Sequence, residues 1–539
     1  RMGGGFGGKE TQAAPWAILC ALATYHTGRP SRLRLSREDD FCLTGKRHPF
    51  SSQYTVGFDT DGKLLAAEHT LWAHCGYSPD LSDAIADRAM FHIDNAYYVP
   101  NRTVTAHRNF THTVSHTAYR GFGGPQGVLA CEAMMDDIAY ALKLDPLELR
   151  LRNLYGEHGD TTHYGQTVNN APLKMLMTTL AEQGRYAERR EAINAFNQQH
   201  PYKRRGLALT PVKFGISFTV SHLNQAGALI HLYTDGSIHL NHGGTEMGQG
   251  LFRKVSQVVA HEFGVDLSQI RSMATRTDKV PNTSPTAASS GSDLNGMAAL
   301  DACHTLKKRL TEHFIDLHGG DSKDVIFANS QVSNGSVEMS FSDLVQSAYL
   351  ARISLSSTGF YRTPKIHYDR QTAKGRPFYY YACGAALCEV EIDTLTGEYH
   401  VSHADLLQDV GRSLNPDIDR GQIEGGFIQG MGWLTTEELV WGDDGRLLTR
   451  GPATYKIPAI GDAPEHFTVS LLDRPNDEAT IYHSKAVGEP PFMLGIAVYC
   501  ALRNAVASLN ANGRPPQIDT PATAERILKA CQEAKHAVD

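Results

Sequence analysis

The residue best placed in this sequence for acid–base chemistry is Glu489, a carboxylate set between a glycine and two prolines in Gly488-Glu489-Pro490-Pro491. The segment that follows, Phe492-Met493-Leu494-Gly495-Ile496-Ala497-Val498, is apolar enough to be a buried helix. A carboxylate entering such a helix is desolvated on one side and faces a helix N-terminus on the other, the setting in which a general base is tuned. A simple capping carboxylate satisfies the same pattern, so the residue chemistry leaves both roles open.

Stretches of small residues recur along the chain at 3–8, 120–125, 243–250, 285–291, 421–426 and 488–491, each leading into an apolar segment. The first turn of a helix leaves backbone N–H groups unpaired and carries partial positive charge, so it attracts anions. Small residues let a ligand approach the backbone closely. One such loop says little; several together suggest a large, polar, anionic ligand gripped mainly by backbone, such as an organic cofactor with a phosphate tail.

Two rival chemistries fail on single residues. Gly3-Gly4-Gly5-Phe6-Gly7-Gly8-Lys9 opens like a nucleotide phosphate loop, but Glu10 follows where Ser or Thr would hold magnesium. His261-Glu262 begins like a zinc-protease motif, but position 265 is Val.

The elements that must position these residues can be read in outline. An apolar helix is expected over 13–25, and a hairpin over 52–72 around Asp59-Thr60-Asp61-Gly62. Helices are expected over 128–142, from Asp145-Pro146 to about 153, and over 251–263, 298–313, 427–439 and 492–509. Strands are expected over 206–212, 226–233 and 237–241. The polar stretch 183–205 reads as a connection with a solvated charged face, separating a first domain, 1–182, from a second, 206–539.

Composition sets the class. The chain has 539 residues, 41% hydrophobic and 20% charged, as in an ordinary globular protein. A net charge of −7 argues against nucleic acid or an anionic membrane as its main partner. No apolar run is long enough to predict a membrane span. The nine cysteines include no C-x-x-C pair, and Cys383 and Cys388 read as buried free thiols of a reducing, cytoplasmic setting. Neither an iron–sulfur cluster nor a zinc site is expected on this chain. It opens inside a glycine-rich loop, and the N-terminus is expected to be cut.

Taken together, the motifs resemble the molybdenum-binding region of xanthine dehydrogenases. They are Arg1-Met2-Gly3-Gly4-Gly5-Phe6-Gly7-Gly8-Lys9-Glu10, Tyr119-Arg120-Gly121-Phe122-Gly123-Gly124-Pro125-Gln126, the 242–250 and 281–289 loops, Ser413-Leu414-Asn415-Pro416 with Gly421-Gln422, the 451–458 segment, Ser484-Lys485-Ala486-Val487-Gly488-Glu489-Pro490-Pro491 and Asp519-Thr520-Pro521-Ala522-Thr523. They fall in the family's order along essentially the whole chain. Tyr119 departs from the Phe that many relatives carry there.

The resemblance implies an α+β fold of two molybdopterin-binding domains, mixed sheets with packed helices, and a cofactor in the crevice between them. It implies oxidation of hypoxanthine and xanthine to urate, with water as the oxygen source. Glu489 would take the proton from a molybdenum-bound hydroxide that attacks the purine as hydride passes to a sulfido ligand. Phe6, Arg120 and Ala288 would lie at the metal through their backbones, with Gly7 and Ala287 beside them. Gln249 and Gln422 would contact the pterin. Phe122 and Phe218 would sandwich the purine next to Thr219, and Glu10 and Arg88 would grip its polar edge. Aldehyde-oxidising relatives carry nonpolar residues at these last two places, so Glu10 and Arg88 separate the two substrate classes. A non-catalytic cofactor carrier would need no base at Glu489. The [2Fe–2S] clusters and FAD of the family are expected on a partner subunit or another region, and the catalytic unit as a dimer.

Overall fold

The hairpin forms where expected: strands Phe50–Phe58 and Leu64–Gly76 pair antiparallel across a turn in which Gly62 takes φ +82°. The helix Ser82–His92 then carries the chain over to a third strand, Asn101–Phe110, parallel to the second. Asp145 accepts the amide of Leu147 at 2.8 Å and so starts the helix Pro146–Asn153 after the long helix Gly124–Leu142. The structure is a computed structural model that describes residues 2–169, 171–510 and 517–536. Arg1, the first residue of the opening motif, lies outside the described residues.

A four-stranded sheet holds the two halves of the chain together, in the order His466–Leu472, Tyr399–Asp409, Tyr380–Asp393, Lys203–Ile216. The first two strands run parallel and the other pairs antiparallel, so this sheet is mixed as well. Successive residues of Tyr380–Asp393 point to opposite faces. Tyr380, Ala382, Ala386 and Cys388 enter a core with Phe427, Met431 and the helix Ile496–Ala507. Tyr381, Cys383, Ala385 and Leu387 enter a second core with Met134, Ile138 and Leu176 of the first half. Burial on both faces explains why this strand reads as an unbroken apolar run, and why Cys383 and Cys388 are buried free thiols.

Another four-stranded mixed sheet, Ser356–Arg362, Gln225–Leu232, Ile238–His242 and Ile270–Ser272, packs on the helices Leu251–Phe263 and Gly291–His318 around its own core.

Two expectations need correction. Residues 421–426 are not a loop but the interior of the helix Pro416–Thr435. Of their glycines only Gly426 is close-packed: a Cβ there would sit 2.8 Å from Pro491 Cβ, whereas one on Gly421 or Gly425 would meet open space. The polar stretch 183–205 is mostly the helix Tyr186–Gln199, and not all of its charge is solvated. Arg189 there bridges Glu389 and Asp405, at 3.0 Å each. The helix Ala14–Thr27 exists but buries no residue. The segment Pro490–Ala507 is apolar and long enough to span a membrane, yet it is 94% buried inside the protein.

Candidate active site

Six loops, within 2–10, 118–122, 218–220, 247–249, 285–289 and 484–489, converge on a cavity of about 620 Å³. The first glycine loop crosses the second so closely that a Cβ on Gly7, at φ +134°, would lie 2.2 Å from the carbonyl oxygen of Ala118. Four non-glycine residues of the cavity wall adopt left-handed backbone: Phe6 (φ 45°), Phe122 (52°), Ala288 (53°) and Ser289 (58°). Such backbone costs on the order of 1–3 kcal/mol per residue and persists where surrounding structure imposes it, commonly at functional sites.

Arg120 stitches these pieces together. Its Nε donates to the Gly488 carbonyl at 2.6 Å, Nη1 to Gln429 Oε1 at 2.9 Å and Nη2 to the Gln422 carbonyl at 3.0 Å. Burial pushes its pKa down to about 10, although neighbouring Tyr119 and Glu489 favour the charge. Its own carbonyl accepts from Arg47 Nη2 at 2.8 Å. The Arg47 guanidinium lies over the rings of Phe492, Tyr119 and Trp433, at 4.3, 4.4 and 5.1 Å.

Glu489 is half-buried on this wall, immediately before the 3₁₀ turn Pro490–Gly495. Its Oε1 accepts the Gly121 amide and its Oε2 the Ser289 hydroxyl, both at 3.1 Å. Its own amide donates to Ser289 Oγ at 2.7 Å. Each carboxylate oxygen has one donor and keeps lone-pair capacity for a proton.

Arg88 is 2% exposed, held by the carbonyls of Ser217 (2.9 Å) and Gly215 (2.5 Å) and stacked over Phe214 and Phe378 at 4.6 and 5.1 Å. Burial lowers its pKa, opposed by nearby Glu489. Among the described residues its Nε has no partner, and neither has the buried Oε2 of Glu10. Glu10 lies 3.4 Å from Lys9, and Glu10 and Arg88 both line the cavity. Phe122 and Phe218 also line it, and among the described residues neither ring stacks on another aromatic.

Every residue singled out in the sequence lies on this one cavity: Phe6, Gly7, Glu10, Arg88, Arg120, Phe122, Phe218, Thr219, Gln249, Ala287, Ala288, Gln422 and Glu489. Two details of the wall were not foreseen from the sequence. Gln249 is folded onto its own loop, accepting from the Met247 amide (2.6 Å) and donating to the Thr245 carbonyl (2.8 Å). The N-terminus of the helix Leu251–Phe263 is already capped by a protein carboxylate, Glu246, which accepts the amides of Gly248, Gly250 and Phe252 at 2.8, 3.1 and 2.9 Å. An acid just before a helix signals such a cap, and Glu246 could have been found that way. Arg47 and Ser289 had no such local signal.

The wall fits a molybdenum cofactor on its chemistry. Among the described residues, no group of three or more His, Cys, Asp or Glu side chains is placed to hold a metal. A metal bound here would be held by its own organic ligand, and the small-residue loops offer that ligand backbone.

The comparisons agree with this geometry. Models of the molybdopterin cofactor-binding domain match residues 1–154 and 179–464. Xanthine dehydrogenase/oxidase of Gallus gallus is 47% identical over 535 residues, covering 98% of this chain and 38% of that protein. The chain thus spans 38% of the length of that curated relative. Among solved structures, quinoline 2-oxidoreductase of Pseudomonas putida 86 superposes with a TM-score of 0.88 at 25% identity, over 99% of this chain and 68% of that one. Aldehyde oxidoreductase of Desulfovibrio gigas gives 0.82 at 25% identity, over 98% and 54%. With both of its domain models matched in order, this chain belongs to the molybdopterin cofactor-binding family.

Proposed function

We propose that this chain is the catalytic part of a xanthine dehydrogenase, oxidising hypoxanthine and xanthine to urate. The observation that carries the reading is one cavity lined by a carboxylate base candidate, an unpartnered buried carboxylate oxygen, a buried guanidinium and two unstacked phenyl rings. Phe6, Gly7, Ala287, Ala288 and Arg120 would hold the molybdenum end of the cofactor through their backbones, and Gln249 and Gln422 its pterin. When bound in its sulfido form, the cofactor supplies water activation and takes up two electrons.

The chain's own residues do the rest. Glu489 removes a proton from the attacking water-derived oxygen, while Gly121 N–H and the Ser289 hydroxyl fix the orientation of its carboxylate. Phe122 and Phe218 sandwich the purine beside Thr219. Glu10 accepts from a ring N–H, and the remaining Arg88 donors meet a ring carbonyl. An aldehyde without such groups would leave both side chains unsatisfied, a penalty that can reach about 10⁴-fold in selectivity. Each turnover converts xanthine and water to urate, two protons and two electrons. The electrons leave through [2Fe–2S] clusters and FAD on a partner subunit or another region, in a cytoplasmic enzyme whose catalytic unit is a dimer.

The test is made on the protein produced together with that iron–sulfur and flavin portion, following urate formation and xanthine-dependent dye reduction with benzaldehyde as rival substrate. Glu489→Gln is expected to lower kcat/KM for xanthine by about 10²–10⁴-fold with molybdenum still bound. Turnover of benzaldehyde alone would overturn the substrate assignment and the roles of Glu10 and Arg88. Neither activity, with molybdenum bound, would point to a cofactor carrier.

A further inference from the structure

The loop that carries Glu489 is also fixed from behind, by two residues that do not line the cavity. The Ala486 amide donates to the Tyr380 hydroxyl oxygen at 2.9 Å, and that hydroxyl donates to Asp293 Oδ2 at 2.7 Å. All three residues are buried, at 8, 5 and 7% exposure. A phenol that gives its proton to a carboxylate can only accept from its other neighbours, so the contact to Ala486 has a defined sense.

The two residues belong to different bodies of the fold. Tyr380 opens the central strand Tyr380–Asp393, whereas Asp293 lies in the first turn of the helix Gly291–His318 of the neighbouring core. The same helix begins just after Ser289, which holds the amide and carboxylate of Glu489. From the opposite side Arg120 holds the Gly488 carbonyl. Backbone groups at 486, 488 and 489 are therefore each tied by a different side chain. Of these three ties, the one at 486 is made by residues that do not line the cavity, beside Lys485, whose amide donates to the Val410 carbonyl at 2.7 Å.

We infer that Tyr380 and Asp293 are positioning residues that set the 484–489 loop, and through it the reach of the Glu489 carboxylate. The inference rests on Glu489 being the base. A displacement of about 1 Å at a catalytic group can cost about 10²-fold in rate. Substrate contacts from Arg88, Phe122 and Phe218 come from other segments, so the effect falls on kcat rather than KM.

The experiment compares Tyr380→Phe and Asp293→Asn in the cofactor-loaded protein, with hydrogen exchange of the 484–489 peptide read beside kinetics. Tyr380→Phe deletes the acceptor of the Ala486 amide. It is expected to raise exchange in that peptide about tenfold or more, lower kcat by about 10–100-fold, leave KM within about threefold and shift the acidic limb of the kcat profile. Asp293→Asn still offers an oxygen to the phenol and is expected to keep the protection and most of the turnover. Wild-type exchange and kcat in Tyr380→Phe would overturn the inference. Should that variant fail to accumulate, Asp293→Ala decides on the same peptide: exchange raised at 484–489 supports the inference, and unchanged exchange overturns it. Full turnover in Glu489→Gln, with raised loop exchange in Tyr380→Phe, would remove the base reading and leave the loop contact standing.

Discussion

Acid should unfold this protein through its histidines. His48, His69, His92 and His116, all in the first half of the chain, are 2, 1, 1 and 2% exposed. Burial pushes the pKa of His48 down to about 4 and of His69 and His116 to about 3, and that of His92 well below its usual value. Nearby cations act in the same direction, Arg47 on His48, Arg102 on His69 and Arg88 on His92. A base whose folded pKa is depressed contributes stability that is present above its unfolded value, 6.5, and lost as pH falls towards the folded value. At pH 5 His48, His69 and His116 each forfeit about 2 kcal/mol, about 6 kcal/mol together, and His92 acts in the same direction. Asp293 works in the opposite sense: burial raises it to about 7, so folding regains about 3 kcal/mol as it takes up its proton. The histidine loss is the larger of the two, and a few kcal/mol is a large share of the whole stability of many domains. Urea unfolding followed by fluorescence at pH 7.5 and 5.0 reads it as a fall in the midpoint. His69→Leu is the sharpest variant, because neither of its ring nitrogens has a partner and no hydrogen bond is lost. It should reduce the pH 5 loss by about 2 kcal/mol. The same pH shift in variant and parent would refute the argument, since His69 would then contribute nothing.

The remaining predictions concern the cavity wall. Arg120→Ala leaves the carbonyls of Gly488 and Gln422 and the amide oxygen of Gln429 without their donor, at about 4 kcal/mol or more in unfolding experiments. Arg120→Lys should recover only part of this, since an ammonium cannot reproduce the planar fork. Gly7→Ala puts a Cβ 2.2 Å from the Ala118 carbonyl oxygen in a backbone conformation alanine avoids. Its molybdenum content should fall well below the parent's, and full occupancy would show that this close crossing is dispensable.

The sequence was most legible where the chemistry is local. The Asp59–Gly62 turn, the Asp145 cap and the helix Leu251–Phe263 are set by residues within a few positions of one another, and they form as read. The site residues were legible for a different reason: resemblance placed them, and folding then brought positions from 6 to 489 onto one wall. What was not legible lies in contacts whose partners are far apart in the chain. Arg120 meets Gly488 across 368 positions, and Tyr380 meets Asp293 across 87. Glycine misled at 426 because turns and close packing call for the same residue. Only the presence of Pro491 and Phe492 against Gly426 and Gly430 shows which was meant.

The placement of the catalytic groups ties the site to the closure of the two halves. Arg88, Phe122 and Glu10 come from the first half of the chain, while Glu489, Ser289 and Phe218 come from the second. No element spans both sets; they meet because the central sheet buries apolar residues of both halves on its two faces. Within the cavity the halves are joined chiefly by the buried Arg120 and by the Gly121 amide on the Glu489 carboxylate. The group proposed as base is thus oriented by a backbone amide from the half that carries Glu10, Arg88 and Phe122. A shift of one half against the other moves base and substrate pocket together at that point. The proposed base and the first-half residues beside it are thus held in one frame, by the Gly121 amide on the Glu489 carboxylate and by the buried Arg120 on the Gly488 carbonyl.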